Sequence, residues 1–138
     1  MIKAVKIRLK PTEEQERQLW KSVGTARWVY NWALNKQIEN YQNGGKFISD
    51  GELRKELTQL KKTEEYAWLK EVSNNITKQA IKDLCKAYKN FFNGKAKHPK
   101  FKSKKRSKPS FYNDNNKLKV KKMLVLIEKV GWVKTSEQ

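Results

Sequence analysis

His98 and Cys85 are the single histidine and single cysteine among 138 residues, and that scarcity narrows the available chemistry. A structural zinc site needs about four ligands, and a nucleophilic triad needs a base beside its nucleophile. Neither can be composed from residues so far apart in sequence. There is no glycine-rich phosphate loop and no metal-ligand spacing, so no metal, no cofactor and no catalytic residue is expected. The carboxylates gather in "EEQE" and "TEEY" at expected helix starts, where they serve as partners of the helix dipole.

What the chain holds in excess is positive charge. Lys and Arg number 32 against 14 Asp and Glu, a formal net charge of +18. Such self-repulsion opposes compaction and implies a polyanionic partner. Between Asp83 and Asp114 lie ten Lys or Arg and not one carboxylate, most of them in "KHPKFKSKKRSKPSFYND" at 97–114. Lys97, Lys100, Lys102, Lys104, Lys105, Arg106 and Lys108 are the candidates to engage phosphates. Phe101, Phe111 and Tyr112 are the candidates to stack on unpaired bases, each stack worth about 1–3 kcal/mol. A merely solubilising lysine tract has little use for these aromatics.

An anionic membrane is the other polyanion. No apolar run approaches the roughly 20 residues a spanning helix needs, and "MIKAVKIRLKPTEEQ" lacks the continuous apolar core of a signal peptide. The expectation is nucleic acid rather than membrane, in a reducing cytoplasm.

The elements that must position these residues follow from periodicity. "IKAVKIRLK" places Val5, Ile7 and Leu9 on one face and Lys6, Arg8 and Lys10 on the other, a half-buried strand. Pro11 ends it, and Thr12 with Gln15 forms a capping box. Leu19, Val23, Ala26, Tyr30, Ala33, Leu34, Ile38 and Tyr41 then follow at helical spacing, with Gly24 as a site for a kink or break. Trp28, Tyr30 and Trp32 read mainly as core, and Arg27 as a phosphate or backbone contact. "NGGK" stops this helix. Ser49 with Glu52 opens a second, carrying Leu53, Leu57 and Leu60, and a short turn lies around "EEYAWL". The strongest helix signal is "SNNITKQAIKDLCKAYKNFF", with Ile76, Ala80, Leu84, Tyr88 and Phe91 on one face. The basic stretch, interrupted by Pro99 and Pro109, reads as an extended arm. "KLKVKKMLVLIEKVGWVK" then alternates like strands, so the ends of the chain are expected to pair around a helical insertion.

Several segments, in order, resemble the N-terminal part of the OrfB/TnpB transposon-encoded proteins, compact RNA-guided DNA endonucleases related to type V CRISPR effectors. The carrying pieces are "KIRLKPTEEQ", "GTARWVYNWAL", "NGGKFISDGELRKELTQLKK", "WLKEVSNN", "AIKDLCKAYKNFF", "HPKFKSKKRSKPSF" and "VGWVK". Before the last piece the family carries a Leu-Pro-Lys-like element, where this chain has "LIEKV". The resemblance implies an α+β fold, a helical, helix-turn-helix-like recognition block inserted into a small partial β-barrel of wedge type. The expected layout is a first strand at 1–10, the helical domain at 11–94, and the basic arm with the remaining strands at 95–138. It also implies that the RuvC-like nuclease domain, its metal-binding carboxylates and its four-cysteine zinc element lie beyond Gln138.

Residue by residue, the resemblance puts the reading of a target-adjacent DNA motif on Asp50, Arg54, Asn74, Asn75, Lys78, Asp114 and Asn115. The chain is therefore expected to grip structured guide-type RNA and duplex DNA without cleaving either, in a prokaryotic, nucleoid-associated setting. Rival readings are a stand-alone DNA-binding regulator, a subunit or inhibitor docking on a full-length TnpB-like protein, and a partner of a separate nuclease-domain chain.

Overall fold

The computed structural model describes residues 9–103, 119–121, 124–127 and 130–135. Helices dominate it: α1 spans Glu13–Gln42, α2 Asp50–Lys61 and α3 Asn74–Phe92, with a short 3-10 helix at Ala67–Glu71. The chain divides into two compact units, Met1–Lys21 with Asn113–Gln138, and Ser22–Tyr112.

In the first unit, strands β1 (Leu9–Lys10), β2 (Lys119–Lys121), β3 (Leu124–Ile127) and β4 (Gly131–Thr135) form an antiparallel sheet of order β1-β4-β3-β2. Leu9 pairs with Thr135 and Lys10 with Lys134, joining the two ends of the described chain. The expected partial β-barrel is corrected here. Among the described residues, β1 and β2 are edges that do not pair with each other, so the sheet is open. Closing a barrel requires tilted strands long enough to bring the edges together, and these two have 2 and 3 residues. The same unit holds the start of α1, where the Thr12 N–H donates to Gln15 Oε1 at 2.9 Å and the Gln15 N–H donates to Thr12 Oγ1 at 3.2 Å. This capping box satisfies donors that the first helical turn leaves unpaired.

Among its described residues the second unit has a single apolar core. Val29, Ala33 and Leu34 of α1, Leu53 and Leu57 of α2, Leu69 of the 3-10 helix, and Ile81, Leu84, Cys85 and Tyr88 of α3 are buried together. Trp28 and Trp32 are half-buried against this cluster and Tyr30 lies within it, so the tryptophan-rich stretch of α1 is largely core. Gly24 introduces no break, because α1 runs on through it as one helix. Ser49 and Ser73 cap α2 and α3, their hydroxyls accepting from the Glu52 and Asn75 N–H groups. α1 and α3 end alike, with Gly44 at φ 79° and Gly94 at φ 75°, a left-handed turn that glycine adopts without steric cost.

Candidate nucleic-acid interface

Arg54, Thr58, Lys61 and Lys62 recur by threes and fours along α2 and so share one of its faces. That face borders a groove of about 520 Å³ whose far wall is Lys70 of the 3-10 helix with Asn74, Thr77 and Lys78 of α3. Among the described residues, five cationic side chains line this groove and no carboxylate does.

Its polar groups are positioned from within. Lys61 Nζ donates to Asn74 Oδ1 at 3.0 Å and to Thr77 Oγ1 at 3.1 Å, tying α2 to the first turn of α3. Thr77, itself buried, donates back to the Asn74 carbonyl at 3.0 Å. Asn74 Oδ1 is thereby engaged within the chain. Arg54 is held by Asp50 one turn earlier, at 3.5 Å between Nη2 and Oδ2. Its Nε is buried without a hydrogen-bond partner among the described residues. A buried donor left unpaired costs about 1–3 kcal/mol.

Arg54, Asn74 and Lys78 thus meet in one groove, Asp50 buttresses Arg54, and Asn75 stands second in α3. Lys61, Lys62, Lys70 and Thr77 are additions that the sequence reading did not single out. The helical spacing from Arg54 to Lys61 and Lys62 was the available signal for two of them.

The start of the basic arm lies elsewhere in the same unit. Asn31 of α1 clamps it as a peptide group would: the Lys102 N–H donates to Asn31 Oδ1 at 2.8 Å, and Asn31 Nδ2 donates to the Lys102 carbonyl at 2.9 Å. The Lys102 ammonium sits 4.3 Å from the centroid of the Tyr30 ring, a cation–π contact. Lys97, Lys100 and Phe101 are exposed. Arg27 is half-buried on α1, its guanidinium passing close to Gly24. Lys104, Lys105, Arg106, Lys108, Phe111, Tyr112, Asp114 and Asn115 lie outside the described residues.

Among the described residues, no His, Cys, Asp and Glu cluster could hold a metal ion, and no helix is long and apolar enough to cross a membrane. Burial pushes the Cys85 thiol up to about 11, with Asp50 adding to the shift and Lys89 opposing it. This cysteine is a small core residue.

Residues 1–46 match a family model of OrfB type described as a helix-turn-helix domain. InsQ of Escherichia coli, a proposed RNA-guided DNA endonuclease, is 34% identical over 133 residues, covering 96% of this chain and 33% of that protein. A second proposed RNA-guided DNA endonuclease, from Streptomyces pristinaespiralis, is 39% identical over 108 residues, covering 78% of this chain and 27% of its own length. The virulence protein VsdF of Salmonella dublin is 34% identical over 113 residues, 75% of this chain and 95% of VsdF. The chain belongs to the OrfB/TnpB family. It corresponds to the N-terminal region of that family and spans about a third of InsQ. Within the residues matched by the helix-turn-helix model, the described structure is β1, α1 and the glycine turn. The helix that would complete such a motif, α2, begins just beyond them at Asp50.

Proposed function

We propose that this chain is a nucleic-acid-binding module that grips guide-type RNA and target-adjacent duplex DNA, without nuclease activity of its own. The observation that supports it best is the groove between α2 and α3, where cations and the Asn74 amide converge with no carboxylate among them. In this reading, the basic arm holds phosphates and the groove meets base edges. Phosphate contacts orient a protein on its site, whereas side chains at base edges carry the sequence preference. The Arg54 guanidinium can pair both major-groove acceptors of a guanine, and an Asn amide suits adenine. The names of InsQ and the Streptomyces relative support an RNA-guided setting in bacteria, and a separate or longer TnpB-like protein would supply any cleavage.

Titration against duplex DNA and structured RNA across salt tests this reading. With about six phosphates neutralised, log affinity falls against log salt with a slope near −5 on duplex DNA. Replacing Lys102, Lys104, Lys105 and Arg106 by Ala weakens all sequences alike and flattens that slope. A flat response in the unmodified protein would overturn the assignment. Metal-dependent nicking with Mg²⁺ or Mn²⁺, abolished by mutating one of the chain's own carboxylates, would overturn the non-catalytic part.

A further inference from the structure

At the C-terminal end of α3 the second unit carries an aromatic surface that neither the groove nor the arm's lysines explain. Phe47, Tyr88, Phe91 and Phe92 border a hollow of about 610 Å³ with Tyr41 at its rim and His98 along one side. That volume falls within the range of about 300–1,000 Å³ typical of ligand clefts. Tyr41 is 82% exposed and Phe92 60%, an unusual presentation for large apolar rings. The rings are held by one another. Phe92 meets Phe47 edge-on at 5.7 Å and 87°, and His98 stands edge-on to both Tyr88 and Phe91 at 5.1 and 5.2 Å. Edge-to-face packing fixes a ring while leaving one of its faces open.

His98 is locked by two hydrogen bonds. Its Nδ1 lies 2.8 Å from the Pro99 carbonyl, which only accepts, so Nδ1 carries the proton; Nε2 then accepts from the Tyr88 hydroxyl at 3.0 Å in the neutral ring. The first residues of the basic arm are thereby attached to the aromatic surface.

We infer that this hollow is a seat for an unpaired nucleobase of a single strand bound along the arm. The inference rests on the nucleic-acid-binding reading and adds to it a site outside the α2–α3 groove. Charge complementarity selects the occupant. Among the described residues no carboxylate lines the hollow, and exposed Lys46 and Lys97 adjoin Phe47 and His98 in the chain. An apolar protein segment would satisfy the rings but gain nothing from the lysines, whereas a nucleotide brings a flat base to the first and a phosphate to the second. The Gln42 side chain at the rim can reach a base edge with both donor and acceptor.

The test compares short oligoadenylate with an abasic sugar-phosphate chain of equal length, in ribose and deoxyribose forms, beside a duplex DNA. The protein should bind the base-bearing chain about tenfold more tightly than the abasic one. The ratio between the two sugar forms identifies the strand. Tyr41→Ala and Phe92→Ala, both at exposed positions, should bring the ratio of base-bearing to abasic affinity towards unity and leave duplex binding and its salt slope unchanged. Tyr41→Ala alone, at the most exposed ring, keeps the test available if the Phe92 variant folds poorly. Equal affinity for base-bearing and abasic chains, with duplex binding intact, would remove the seat and leave the wider reading standing; loss of binding to every probe would remove both. Self-association on sedimentation that these substitutions abolish would overturn the inference by giving the surface to a second copy of the chain.

Discussion

The two ends of α3 meet solvent on opposite terms. Its first turn joins a polar groove in which Lys61, Asn74 and Thr77 are fixed by hydrogen bonds. Its last turns carry Tyr88, Phe91 and Phe92 in a cluster of rings. The helix has 19 residues, about 27 Å of rise from first to last. On the proposed reading, one element would serve two kinds of recognition. Base edges demand donors and acceptors at set positions, while a stacked base demands only a flat, dry face.

The largest effect should come from the part the two ends share. Leu84 is fully buried in mid-helix, and Leu84→Ala should cost about 2–5 kcal/mol in denaturant unfolding. Both ends should fail together; survival of one without the other would show that they do not rest on a common core.

Arg54→Ala separates the ends. It should cost about 1–3 kcal/mol on preferred DNA and relax preference at one or two positions, while binding to unrelated duplexes hardly changes. Selection from randomised DNA, with and without a candidate guide RNA, reads this directly. Identical enriched motifs from wild type and variant would take Arg54 out of the site.

Asn31→Ala should be milder. It removes both clamp bonds on Lys102, a loss of about 1 kcal/mol, and should speed hydrogen exchange at the Lys102 amide with little change in global stability. The smallest effect concerns pH. Cys85 is raised from an ordinary 9.0 to about 11, and burial also raises Tyr30 and Tyr88. Above pH 9 the unfolded chain releases these protons while the folded chain retains them, so stability should decline as pH rises towards 11. At pH 8 a thiol reagent should label Cys85 slowly until denaturant opens the core.

Much of the helical structure was legible in the sequence. The Thr12–Gln15 box, the serine caps and the apolar stripe of α3 are local patterns, and local physics suffices to read them. The barrel was not legible, because alternation marks a half-buried strand and says nothing about whether a sheet closes. The residues of the α2–α3 groove came half into view. Arg54, Asn74 and Lys78 were named through resemblance, but Lys70 joins them only because α2, the 3-10 helix and α3 pack together. Asn31 was missed outright. Nothing local to "WVYNWAL" shows that its asparagine anchors a segment 71 positions away.

Gly44 lies just before Phe47 and Gly94 just before His98, so both flanks of the aromatic surface depend on backbone of left-handed sense. The surface is in this respect a matter of chirality. D-alanine, introduced at either position by chemical synthesis, has its natural basin there and should stiffen the turn by narrowing the unfolded ensemble. L-alanine would favour running α1 or α3 on by further residues, and would carry Phe47 or His98 away from the rings they now touch.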